Sequence, residues 1–200
     1  MLDETAQPRA SRYGRISRAE AWLARRVCAV LLAAWLGGIA LVAMSAPAVF
    51  EADEVVLRHP LPPHAEILKK AGQEPVRDLL RYHAGEANNQ VFSLWGTMQA
   101  AYAVAILLIL LFFTDAGKWR LALAGSILAL ALFQKLYLIP AIANASRRFR
   151  AGGLAEEGRR FQLLHGSFAA FEIVSALLGL ALLVLLLRSG RSHARRGAAV

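Results

Sequence analysis

The chain has a single cysteine, Cys28, among its 200 residues, so neither an intramolecular disulfide nor a cysteine-based metal cluster can form within one molecule. No glycine-rich phosphate loop, nucleophile elbow or zincin helix occurs, which removes the motif-bearing nucleotide-dependent and hydrolytic enzyme classes and leans the reading away from an enzyme. Charge is scarce where hydrophobicity is high. Four apolar blocks, at about residues 28–48, 91–113, 121–142 and 165–187, contain only two charged side chains, Lys135 and Glu172.

What is present instead is apolar length. Of the residues, 57% are hydrophobic, and they are gathered into those blocks rather than spread in short periodic segments. Each block matches the ~20 residues that cross a hydrocarbon core of ~30 Å. The expected fold is all-α: a polytopic membrane protein built as a four-transmembrane-helix bundle. A basic tail (1–27) precedes the membrane domain (28–187), and a basic tail (188–200) follows it. A signal peptide is the rival reading of the first block, but the block is long for one and Pro47 sits inside the nearest cleavage-like site, Ala46-Pro47-Ala48.

The net charge of +9 belongs to the segments outside the spans. Nucleic acid is not the expected partner. Arginines at span ends meet anionic lipid head groups, so the expected partners are the bilayer, with its anionic lipids, and a second copy or another membrane protein. With four spans both termini share one side, which carries twelve bases against ten on the other. The strongly basic first tail and the net acidic first loop place the termini in the cytoplasm. Composition suits a bacterial inner membrane.

The loop 49–90 is expected to be partly helical. His59-Pro60-Leu61-Pro62-Pro63 cannot be helical throughout. His64 to Ala71 reads as a short helix closed by Gly72, and a second helix starting at Pro75 can run straight into the next span. A short surface helix is expected around Ser17 to Arg26. Pro140 is expected to kink or stop the third span, and Gly152-Gly153 to break the polar segment 143–164.

Polar residues at membrane depth are costly and mark a site. Lys135 lies seven residues before Ile142 and Glu172 seven after His165, so both sit about 10 Å from one membrane face. Gln99 falls at nearly the same level, and Gln134 adjoins Lys135. These four form the expected intramembrane cluster, with a Lys135–Glu172 ion pair as the floor of an outward-opening pocket. The same pair serves equally as a structural pin for helix register, or Lys135 snorkels to the interface. On the second span Asn88, Phe92, Trp95, Gln99 and Tyr102 share a face. On the fourth, His165, Ala169, Glu172, Ala176 and Gly179 do. His83, Asn88, Asn89 and His165 stand at the expected mouth.

His83 and His165, on different helices, are candidate axial ligands for haem b. His59, His64 and His83 are candidate ligands for copper or zinc, though without recognisable spacing. His193 reads as solvated in the basic tail.

Arg160-Phe161-Gln162-Leu163-Leu164-His165-Gly166-Ser167, entering the last span, resembles the transmembrane protein 205-like family. Gly37-Gly38 with Ser45-Ala46-Pro47-Ala48-Val49-Phe50, and Tyr82-His83-Ala84-Gly85-Glu86-Ala87-Asn88, are similar to its other short motifs. The loop from Glu51 to Glu74 is longer than that family's. The resemblance implies four spans and no assigned activity, with a distant likeness to copper-resistance-D-like proteins and haem-carrying membrane protoporphyrinogen oxidases. Three function classes follow: an accessory or assembly factor of the inner membrane, a haem- or metal-binding redox protein, and a small oligomeric transporter or proton-coupled carrier.

Overall fold

The structure, a computed structural model, describes residues 17–150, 152 and 154–188. Most of the two basic tails, His193 among them, lies outside the described residues. The elements are α1 (Arg18–Arg58), α2 (Pro62–Ala71), α3 (Gln73–Phe113), α4 (Lys118–Phe133), a π-helical turn (Gln134–Leu138), α5 (Ile139–Arg150) and α6 (Ala155–Arg188). Four helical rods, α1, α3, α4 to α5, and α6, are long and apolar enough to cross a membrane. They pack up-down-up-down around one core, as a four-helix membrane bundle.

Helix ends follow local chemistry. Ser17 caps α1 in a reciprocal box with Glu20, each side chain bonding the other's backbone N–H, at 3.2 and 2.7 Å. The expected surface helix at Ser17 to Arg26 is therefore the start of α1 and not a separate element. Nothing breaks α1 between Pro47 and His59, so it continues ten residues past the expected span end at Ala48. Pro62 and Pro63 occupy the first turn of α2, where their missing donors cost nothing. Gly72 adopts φ 82° between α2 and α3, a conformation that favours glycine.

Pro140 does not stop the third rod, and the local adjustment there is a widening of the helix. Proline lacks a donor and its ring crowds the carbonyl four residues back. Immediately before it the ladder widens to the π form, and the Ile139 N–H bonds the Gln134 carbonyl five residues back. The helix then runs on to Arg150.

The termini-side half of the bundle is a closed apolar core. Cys28, Leu32 and Trp35 of α1 meet Ile106 and Leu110 of α3, Ile127 of α4, and Leu182 and Leu186 of α6. Ala103, Ala124 and Ala131 let the backbones approach. A Cβ on Gly179 would stand 2.6 Å from the Trp35 ring, so α6 lies directly against that indole.

At the other end the rods extend past their apolar blocks and are tied by charge. Arg77 and Arg81 of α3 reach Glu54 of α1, at 3.8 and 3.6 Å. Arg147 of α5 grips both carboxylate oxygens of Glu86 on α3, the shortest contact being 2.9 Å. Arg148 faces Glu157 of α6 at 3.7 Å.

Candidate functional site: a membrane cavity with a buried carboxylate

Beyond Trp35 and Gly179, α1 and α6 no longer fill the space between them. A cavity of about 670 Å³ occupies this outer half of the bundle. Ile39, Val42, Ala46 and Phe50 of α1 form one wall, and Phe168, Ala169, Ile173 and Ala176 of α6 the other. Asn88, Phe92 and Trp95 of α3 close the back, with Ile142 and Ser146 of α5 above them. Ala43, Pro47 and Phe50 on α1, and His165, Ala169 and Ile173 on α6, are exposed as well as cavity-lining. The cavity therefore opens sideways between α1 and α6, toward the lipid.

Pro47 contributes to that opening. It supplies no donor to the Ala43 carbonyl one turn below. Asn88 of α3 reaches across and donates its side-chain amide to the neighbouring Ala46 carbonyl at 3.2 Å. Asn88 is buried, and this bond ties the back wall to the α1 wall.

The floor is Glu172. Its carboxylate lines the cavity, yet the residue is only 9% exposed. Gln99 Nε2 on α3 donates to both of its oxygens, at 2.6 and 2.9 Å. Gln134 and Trp95 also turn toward this carboxylate, without closing hydrogen bonds of standard geometry: Gln134 Nε2 and Trp95 Nε1 are buried and otherwise unpartnered. Gln99 Oε1 and Gln134 Oε1 are buried and unpartnered too. Unmade polar bonds in an apolar interior are expensive, so a group that supplies a donor here gains more than the same group in water.

The expected Lys135–Glu172 ion pair is not formed. Lys135 Nζ donates to the Ser93 carbonyl at 2.9 Å and to Ser93 Oγ at 3.3 Å, on the α3 side of the third rod. Lys135 lies within the π turn, whose wider winding shifts side-chain directions away from the 3.6-residue phase. Depth was comparable between the two residues, but direction was not. No ion pair to Glu172 exists among the described residues.

The mouth is polar and aromatic. Asn89 and His165 line it, with the imidazole stacked on Phe161 at 5.7 Å and edge-on to Phe92 at 6.2 Å. Arg150 lies over Gly85, donating to the Tyr82 carbonyl at 2.9 Å and to Ser146. Trp95 stands on the α3 face expected from sequence and Phe161 in the motif that enters the last span, whereas Arg150 was not singled out. Arg150 looked like one of several interfacial arginines, and only its packing on a glycine distinguishes it.

His83 is exposed and is not a cavity residue. Among the described residues, His165 is the one imidazole that lines the cavity. The opposed imidazole pair that haem ligation by His83 and His165 requires is not assembled. Among the described residues no group of three or more His, Cys, Asp or Glu side chains is gathered to hold a metal ion, so His59, His64 and His83 do not converge. No family model, no curated protein and no solved structure matches the chain.

Proposed function

We propose that this integral membrane protein binds a membrane-soluble amphiphile, taken up sideways from the bilayer between α1 and α6. The apolar body lies against Ile39, Val42, Phe92 and Phe168, and a hydrogen-bond donor, an amine or hydroxyl, meets Glu172. One observation carries the reading. A buried carboxylate held by neutral donors, and in no ion pair among the described residues, faces an apolar cavity open to lipid. The volume lies within the ~300–1,000 Å³ of small-molecule sites.

This is the sharper form of the accessory-factor expectation. We place the protein in a bacterial inner membrane with both termini cytoplasmic, on the basic tails, so that the cavity mouth faces outward. We further propose kinship with the transmembrane protein 205-like family, on the resemblance of Leu164-His165-Gly166 and Ala46-Pro47 to its short motifs.

A carrier is the second reading, favoured by the π turn beside the site, since such turns recur at functional positions. Four spans are few for a carrier, so that version works as a homo-oligomer.

The test is native mass spectrometry of the protein released from detergent micelles. A retained small molecule of lipophilic amine or alcohol character, lost in Glu172→Gln, supports the reading. Retention unchanged by Glu172→Gln contradicts it.

A further inference from the structure

A second recess, of about 440 Å³, lies at the other end of the same helix pair. It is lined by Trp22, Arg25 and Arg26 of α1 and by Val184, Leu187 and Arg188 of α6. Arg25 and Arg26 precede the first apolar block, and Arg188 directly follows the last. Because α1 and α6 run antiparallel, three guanidinium groups meet at one membrane face, at head-group level. Arg26 is held over the Trp22 ring, 4.8 Å from its centroid, and Arg25 is partly buried. The nearest acid in sequence, Glu20, is engaged in the Ser17 cap. None of the three arginines forms an ion pair among the described residues.

Three cations gathered around a recess, with no carboxylate paired to them among the described residues, favour an anion. The walls say which kind. Val184 and Leu187, with Ala29 across from them on α1, carry the surface from the arginines into the hydrocarbon, and both are exposed. A soluble anion would use the guanidiniums and leave this apolar wall bare. A phospholipid uses both. Guanidinium binds phosphate oxygens in a planar, bidentate manner, and basic recesses between transmembrane helices suit anionic head groups.

We propose that this recess is a binding site for an anionic phospholipid, its phosphate on Arg25, Arg26 and Arg188 and an acyl chain along Val184 and Leu187. The site is independent of the Glu172 cavity and does not rest on the function proposed for it. An occupant here bridges the ends of α1 and α6, the two helices that separate at the opposite end.

The experiment is lipid retention by native mass spectrometry, titrating the detergent-solubilised protein with phosphatidylglycerol or phosphatidylcholine. The expected result is a bound phosphatidylglycerol with at least about tenfold preference over phosphatidylcholine, lost in Arg25→Gln/Arg188→Gln. Lys118→Gln/Arg120→Gln, which removes equal charge from the same face, should keep it. Equal loss in both double variants would mean diffuse attraction and overturn the site. Displacement by millimolar inorganic phosphate would overturn the lipid assignment in favour of the free anion. Should the Arg25/Arg188 variant not fold, wild-type protein decides. Bromine-labelled phosphatidylglycerol must quench the fluorescence component that Trp22→Phe removes, and bromine-labelled phosphatidylcholine must not; equal quenching by both overturns the proposal.

Discussion

Gln99 on α3 donates one side-chain amide to both carboxylate oxygens of Glu172 on α6, at 2.6 and 2.9 Å, where sequence spacing had pointed to Lys135. Both residues are buried, so this contact spans the bundle at the floor of the cavity. The consequences can be separated experimentally.

Removing the donor should cost stability. Gln99→Ala leaves a buried carboxylate without its closed hydrogen bonds. Interhelical polar contacts in membranes are worth about 1 kcal/mol and up to about 2. We expect a loss in that range, read from thermal unfolding in detergent. A change within about 0.3 kcal/mol would show that the contact does not hold α3 to α6.

A double-mutant cycle distinguishes the two candidate partners. Lys135→Met with Glu172→Gln should be additive within about 0.5 kcal/mol, because Lys135 is bonded to Ser93. Gln99→Ala with Glu172→Gln should not be additive. Coupling confined to the Lys135 cycle would restore the ion pair.

Adjacent glycines should respond differently. A methyl group on Gly38 would run into the Trp95 ring, whereas Gly37 faces open space. Gly38→Ala should destabilise by about 1–3 kcal/mol, the usual cost of overpacking. Gly37→Ala should be neutral or slightly stabilising, since alanine favours helix by up to about 1 kcal/mol. Equal effects would mean that α1 is rotated from the orientation described.

Cys28 is 0% exposed and packs beneath the Ile106 carbonyl, its Sγ 3.9 Å away. It should resist maleimide in the folded protein and react after denaturation. A cysteine introduced at Ala169, on the lateral opening, should react in the folded state with a lipid-soluble reagent. Protection at Ala169 would mean that α1 and α6 close over the cavity.

Much of this architecture was legible in the sequence, because hydrocarbon thickness dictates span length and leaves little freedom. The spans, the His59–Pro63 break, the Gly72 closure and the unbroken run of α3 into its span follow from apolar length and from proline and glycine chemistry. Two things were hidden. The first was how far α1 and the third rod continue. Polarity changes at Val49 and Ala143 mark where helices leave the apolar layer, and a helix whose own backbone bonds are intact need not end there. The second was the direction of Lys135. Depth follows from counting residues, but a π turn changes the phase on which face assignments depend. Gln99 and Glu172 lie outside that turn, and regular 3.6-residue winding brings them face to face. The lateral opening had no local signal, because it arises from two helices parting beyond the Trp35–Gly179 contact.

The most direct test is a titration with two ligands of identical chain and different head: dodecylamine, which offers a donor, and dodecyl methyl ether, which does not. Binding is followed by the tryptophan fluorescence that Trp95→Phe removes. The amine should bind saturably, at least about tenfold more tightly than the ether, and Glu172→Gln should abolish that preference while Lys135→Met preserves it. Equal affinity for amine and ether in the wild-type protein, or a preference that survives Glu172→Gln, would contradict a donor-recognising site at Glu172.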